Sequence, residues 1–343
     1  MAVPGRATAH AGAPSGPASP SACSRGAART RTSRRGHQPM GASGTSAAVT
    51  PHAAADAAQR VGTDTLAAIE AAAVRVARRA AVMITAAASS SVAVEYKRQG
   101  RRGAAPVNPV TEVDRTVEAE ARRILASEFP GHAFLGEEGD EPGASDGFLW
   151  VVDPLDGTTN FTAGFPLYAA AVACLLDGVP IAGAVWCSVT PELRPGIYHA
   201  RVGGALRLDG VPTEPRIAPP RPLAAAPGGA PGRTPWWDHR VTGCAAIECA
   251  YVAAGVFQAA TFAGLRVWDV AAGVVLAWAA GRGVWLREGA SWVPFERFVP
   301  EPPRRGQPPS LRGWRRTLLI AAPEARERLA RPRRFWIARL FRS

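Results

Sequence analysis

From Thr63 to about Ala88, Leu66, Ile69, Val74, Val76, Val82 and Ile84 recur among alanines and a few charges. That spacing predicts a helix with one apolar face. A second helix is predicted over Glu112 to Glu128, where Val113, Val117, Ala121, Ile124 and Leu125 fall three and four residues apart. Pro130-Gly131-His132 ends it. Ala133-Phe134-Leu135 reads as a short strand leading into Gly136-Glu137-Glu138. Phe148 to Val152 is a continuous apolar run stopped by Asp153-Pro154, the pattern of a buried strand. Residues 167–176 and 179–187 read as two strands around the turn Asp177-Gly178. The stretch 212–235, rich in Pro, Ala and Gly, is expected to be an irregular connection. Helical character returns from Cys244 to Ala254 and from Asp269 to Ala280, and a short helix is expected at 323–330. By itself this pattern supports only a mixed α and β fold. The longest uncharged apolar run, Val270 to Gly281, falls short of the roughly 18 residues a membrane span requires. No span is expected.

Composition narrows the class. With 343 residues, 47% of them hydrophobic and 20% charged, the chain can bury a substantial core, and collagen-like, coiled-coil and wholly disordered readings fail. The net charge of +12 suggests nucleic acid until it is divided along the chain. Residues 1–55 carry +6 and residues 301–343 carry +9, so the body between them is −3. Residues 1–58 have almost no large apolar side chains, and a disordered tail is expected there. Its Arg- and Ser-rich, acid-free composition is shared by transit peptides, but it lacks amphipathic periodicity. A tail without function, with Met40 as an internal start, fits better. Residues 59–330 are expected to form one domain. In the basic tail 331–343, Phe335, Trp336, Ile337, Leu340 and Phe341 lie among arginines. Such a mix can touch acidic membrane surfaces or nucleic acid, though a solvated end is the commoner outcome. Five cysteines without a CxxC pair argue against a disulfide framework or a zinc site, so a reducing cytoplasm is expected.

One segment carries the chemistry: Asp153-Pro154-Leu155-Asp156-Gly157-Thr158-Thr159-Asn160 at the end of the apolar strand. Two carboxylates three residues apart make a concentrated anionic point at a sheet edge, and Gly157 permits a tight turn. Hard oxygen donors of this kind suit Mg²⁺, which leans on one or two carboxylates plus a substrate phosphate. If Thr158-Thr159-Asn160 starts a helix, its first amides provide a phosphate seat beside the metal. A lone DxxD more often shapes a turn. Here it occurs with Gly136-Glu137-Glu138, with Asp114 and with Trp268-Asp269-Val270-Ala271-Ala272-Gly273. Asp269 alone would read as a helix N-cap.

This ordered set, GEE, DPLDGTTN and WDVAAG, resembles the inositol monophosphatase family of magnesium-dependent, lithium-sensitive phosphatases over roughly residues 60–300. The resemblance implies a layered αβαβα sandwich and hydrolysis of a small phosphate monoester, inositol monophosphate foremost. Histidinol phosphate, fructose 1,6-bisphosphate or a nucleotide 3′-phosphate are the alternatives. It implies two or three Mg²⁺ ions, with Glu138, Asp153, the Leu155 carbonyl, Asp156 and Asp269 as ligands. Thr158 and Asp114 would orient and deprotonate the attacking water, and Gly157, Thr158, Gly243, Cys244 and Ala245 would line the substrate. Glu137 matches the motif without a required metal contact. A homodimer is implied by the family, and a non-catalytic RNA- or protein-binding member is the reading from another class. The chain departs from the family at Phe262, seven positions before Asp269, where relatives carry an acid that meets a substrate hydroxyl. A phenyl ring cannot accept that hydrogen bond. Lys97, Arg101 and Arg102 are expected in a loop before Asn108, where relatives often place a basic residue near the site.

Overall fold

The amphipathic pattern of residues 63–88 becomes one long helix because Leu66, Ile69, Ala73, Val76, Ala77, Ala80 and Ile84 all turn to the core. Val82 faces away and is exposed. The computed structural model describes residues 51–88, 94–97, 108–139, 147–225, 237–302 and 309–325.

Helices α1 (His52–Val61), α2 (Thr63–Ala88) and α3 (Glu112–Glu128) flank a small antiparallel hairpin, β1 (Val94–Lys97) with β2 (Asn108–Thr111). A seven-stranded sheet follows: β3 (Ala133–Gly136), β4 (Phe148–Asp156), β5 (Ala169–Leu176), β6 (Val179–Cys187), β7 (Gly196–Arg201), β8 (Arg207–Leu208) and β9 (Val211–Pro212). Its strands lie side by side in chain order, antiparallel except for β3 with β4. The short helix α4 (Thr158–Thr162) leaves the end of β4. The second sheet holds β10 (Leu223–Ala225), β11 (Asp238–Arg240), β12 (Phe257–Phe262), β13 (Gly283–Glu288), β14 (Ser291–Pro294) and β15 (Leu318–Ala321). Its order is β11-β10-β12-β15-β13-β14, with parallel and antiparallel pairs mixed. Helices α5 (Ala245–Ala253) and α6 (Val267–Ala279) complete the set.

Every residue of β5 and β6 is buried, which explains why both read as continuous apolar runs rather than alternating ones. Helix α2 covers one face of these strands and α5 and α6 cover the other. Gly183 permits the close approach of α6, since a Cβ there would stand 2.9 Å from Ala272 Cα. On their far side α5 and α6 meet the second sheet, through β12, β13 and β15. The layers therefore run helices, sheet, helices, sheet, as the resemblance implied. The outer face of the second sheet carries Trp237, Trp285, Ala259, Leu319 and Ala322 in a small separate core. Residues 323–325 are helical, and Ala325 packs into this core.

Several expectations need correction. The tail expected to reach residue 58 meets helix α1, whose Ala54 and Ala57 are buried; residues 1–50 and 331–343 lie outside the described residues. Strand β4 does not stop at Val152 but runs through Pro154 to Asp156. Its register against β5 shifts between Asp153 and Asp156, and such an irregularity tolerates a proline that cannot donate to the ladder. The connection expected at 212–235 contributes β10 to the second sheet. Lys97 lies in β1, paired with Asn108, rather than in a loop; Arg101 and Arg102 fall outside the described residues. Among the described residues Cys174, Cys187, Cys244 and Cys249 are free and buried, and no helix is long and apolar enough to cross a membrane.

Candidate functional site

The end of β4 delivers Asp153 and Asp156 to the edge where the starts of α3, α4, α5 and α6 converge. Asp153 is buried, and its Oδ1 accepts the Leu155 N–H at 3.2 Å. Asp156 Oδ2 accepts the Ala246 N–H at the start of α5 (2.6 Å) and the Cys244 thiol (3.2 Å). Asp269 lies in the first turn of α6. It is not the N-cap residue: Arg266 holds that position, and Asp269 Oδ2 accepts the Arg266 N–H at 2.7 Å as the return half of a capping box. The helix expected from Asp269 thus begins two residues earlier. Asp114, buried in the first turn of α3, places Oδ1 3.2 Å from Thr158 Oγ1, which also lies 2.9 Å from the Leu155 carbonyl.

Electrostatics shows which acids share this space. Burial pushes the Asp153 carboxyl well above the usual carboxylate range, and the charges of Glu137, Asp156, Asp269 and Asp114 push it further. Burial, against the opposing Ala246 N–H and Cys244 thiol, raises Asp156 to about 6, with Glu248 and Glu137 adding repulsion. Burial and the Asp156 charge raise Asp269 to about 7, although the Arg266 N–H and a hydrogen bond with Asp153 act the other way. Among the described residues no salt bridge reaches Asp153, Asp156 or Asp269. The raised values of Asp153, Asp156 and Asp269 mean that part of this cluster keeps its protons.

The structure brings together Asp114, Asp153, Leu155, Asp156, Thr158 and Asp269, and it adds Glu137. Glu138, the glutamate expected in this group, is not among the principal charges acting on Asp153; its N–H and its charge act on Glu118 of α3. Its neighbour Glu137 is the one whose charge acts on Asp153, Asp156 and Arg266. The substrate-lining expectation has a geometric counterpart. Gly157 adopts φ +84° and lies so close to the 243–244 segment that a Cβ would stand 3.3 Å from Cys244 Cβ and 3.4 Å from the Gly243 carbonyl. Asn160 Nδ2 ties that segment down by donating to the carbonyls of Leu167 (2.6 Å) and Thr242 (2.8 Å). Ala245 opens α5 beside Asp156. Phe262 is fully buried, paired with Leu318 in the second sheet. Glu248, also fully buried, accepts from Thr242, while its Oε2 has no partner among the described residues.

The donor set fits a hard divalent cation: buried carboxylates plus one main-chain carbonyl. Among the described residues no three His, Cys, Asp or Glu side chains stand ready as an ion cage. Asp153 and Asp269 lie within each other's electrostatic reach.

A layered α/β sandwich with an acidic cluster at a strand end is the architecture of a class of phosphatases. The family model described as "Inositol monophosphatase family" matches residues 65–311, and this chain belongs to that family. It is 37% identical over 211 residues to the inositol-1-monophosphatase ImpA of Mycolicibacterium smegmatis, covering 55% of this chain and 74% of that one. It is 35% identical over 195 residues to the Nus factor SuhB of Pseudomonas aeruginosa, covering 50% and 70%. A similar fold occurs in an IMPase/NADP phosphatase solved with NADP and Ca²⁺, with TM-score 0.58, 20% identity, and 78% and 95% of the two chains covered.

Proposed function

We propose that this chain is a Mg²⁺-dependent phosphatase that hydrolyses a small phosphate monoester of the inositol monophosphate type. The observation that carries this reading is the convergence of Asp114, Glu137, Asp153, Asp156 and Asp269 on one strand end, with three carboxyls pushed above their ordinary range. Glu137, Asp153, Asp156, Asp269 and the Leu155 carbonyl would hold the cations, with Glu137 taking the place expected of Glu138. Bound there, divalent cations lower the pKa of a water and neutralise phosphate oxygens. Asp114 and Thr158, 3.2 Å apart, would orient and deprotonate the attacking water. Gly157 and the segment Gly243-Cys244-Ala245 would form the wall against which the ester rests.

With Phe262 in the core, no acid at that position meets a substrate hydroxyl, so histidinol phosphate, a sugar bisphosphate and a nucleotide 3′-phosphate belong in the test. Phosphate release by the purified chain across these four ester classes, with and without Mg²⁺, decides the matter. Release dependent on Mg²⁺ and selective for one class supports the proposal; no release from any of them opposes it. The likeness to a Nus factor favours a second reading, a regulatory member acting on RNA or a protein. In that case Asp153→Asn would abolish no measured property of the chain. A homodimer and a cytoplasmic location complete the proposal.

A further inference from the structure

Arg312 lies in a short 3₁₀ turn, Leu311–Gly313, outside every motif that the sequence displays. Its guanidinium nevertheless reaches the loop that carries Glu137. Nη2 donates to the carbonyl of Gly136 at 2.7 Å and to that of Gly139, and Nη1 donates to the carbonyl of Glu137 itself at 3.2 Å. From α3, Glu118 accepts the Glu138 N–H at 2.7 Å. Glu118 is buried and stands one helical turn after Asp114. The loop has no slack against it: a Cβ at Gly136 would lie 2.2 Å from Glu118 Cδ, and one at Gly139 would lie 2.6 Å from Glu118 Oε1. A carboxylate thus takes an N–H of the loop while a guanidinium takes three of its carbonyls.

The same arginine touches the Asp269 segment. Its Cζ stands 5.2 Å from the centroid of the Trp268 ring, and its own carbonyl accepts Arg266 Nη1 at 2.7 Å. Arg266 is the residue whose N–H holds the Asp269 carboxylate, and its Cζ lies 5.6 Å from the same ring. One side chain therefore links two acid-bearing segments that are otherwise far apart in the chain. Only arginine has the planar fork of donors for such a set; a lysine ammonium is a point charge with no ring-stacking plane.

We propose that Arg312 is a positioning residue: by gripping the main chain at 136, 137 and 139 and stacking on Trp268, it sets the spacing of Glu137 and Asp269 and so the affinity for divalent cation. This rests on the Mg²⁺ reading above. Loss of a partner that orients metal ligands typically costs 10–100-fold in metal affinity. The test is calorimetric titration of Mg²⁺ into metal-stripped full chain, as wild type, Arg312→Ala, Arg312→Lys and Asp153→Asn, with melting in EDTA recorded for each. The expected result is a Kd for Mg²⁺ raised about 10–100-fold in Arg312→Ala, a smaller rise in Arg312→Lys, and partial recovery of Arg312→Ala by millimolar guanidinium. If Arg312→Ala is less stable in EDTA yet binds Mg²⁺ as wild type does, the role is structural and the proposal is overturned. Should Arg312→Ala fail to fold, Arg312→Lys decides, and wild-type affinity in that variant overturns the proposal equally. A wild type that binds no Mg²⁺ sinks the broader metal reading and this one with it. A wild type that binds it beside unaffected Arg312 variants sinks this one alone.

Discussion

Gly157→Ala is the substitution at the site whose cost is most directly computable. Gly157 sits at φ +84°, in the left-handed region, where an L-residue costs about 1–2 kcal/mol. The new Cβ would also stand 3.0 Å from the Leu167 carbonyl oxygen, 3.3 Å from Cys244 Cβ and 3.4 Å from the Gly243 carbonyl. The Leu167 oxygen cannot retreat freely, because Asn160 Nδ2 donates to it at 2.6 Å. Overpacking of this degree adds about 1 kcal/mol, for a total of roughly 2–3 kcal/mol. At about 2–4 °C per kcal/mol for a domain of this size, Tm should fall by roughly 4–12 °C. Gly203→Ala isolates the backbone part: its φ is +73° and nothing lies within 4 Å of the new Cβ, so a fall of roughly 2–8 °C is expected. Differential scanning calorimetry on both variants gives the comparison. A Gly157→Ala midpoint no lower than that of Gly203→Ala would refute the packing argument.

Other consequences concern charge and burial. Metal-free protein should lose stability as pH rises from about 4 toward 7, because Asp156 and Asp269 have folded pKa values raised to about 6 and about 7. The folded state then holds more protons than the unfolded one. Saturating Mg²⁺ should remove that slope and raise Tm, contributing about 2.7 kcal/mol at 100 times its Kd; equal midpoints in chelator and in millimolar Mg²⁺ would count against a cation site. Glu70 behaves in the opposite sense. Burial raises its pKa, but hydrogen bonds and charge from His199 and Arg201 outweigh burial and hold it below the ordinary range. Its contribution is therefore present at neutral pH and lost as pH falls through the folded value. Glu70→Gln should cost about 2 kcal/mol by urea denaturation at pH 7, with the difference shrinking in acid. In a Cys23→Ser background, native protein should give almost no fast reaction with a thiol reagent and four equivalents when unfolded, since burial raises the pKa of Cys174, Cys187, Cys244 and Cys249. Rapid labelling of the native state would contradict the burial of these four.

The elements that the sequence announced were those whose burial leaves a period. Helices α2 and α3 each bury one face, and β5 and β6 bury both, so spacing or its absence identified them. Helix α1 escaped because its buried positions are Ala54 and Ala57, too small to stand out from the alanine-rich tail before it. Pro154 was read as a stop, but the register shift in β4 depends on pairing with β5, which no local pattern encodes. The acids near Pro154 and Trp268 were legible because a short string fixes both the residue type and its place on a strand end or helix start. The choice between Glu137 and Glu138 was not, because two adjacent glutamates in one short string are chemically alike. Arg312 gave no signal at all: its three carbonyl partners lie more than 170 residues away in the chain. Only folding brings them together.

The central claim is that a buried carboxylate cluster built around Asp153 holds divalent cation for phosphate ester hydrolysis. Steady-state phosphate release by wild type and by Asp153→Asn, each with and without Mg²⁺, tests it most directly. Turnover is expected only for wild type with Mg²⁺. Also expected is a loss in Asp153→Asn greater than the 10–100-fold typical for an outer partner of a metal ligand, with the folded state retained. Equal turnover by the two proteins, or wild-type turnover undiminished in chelator, would contradict the claim.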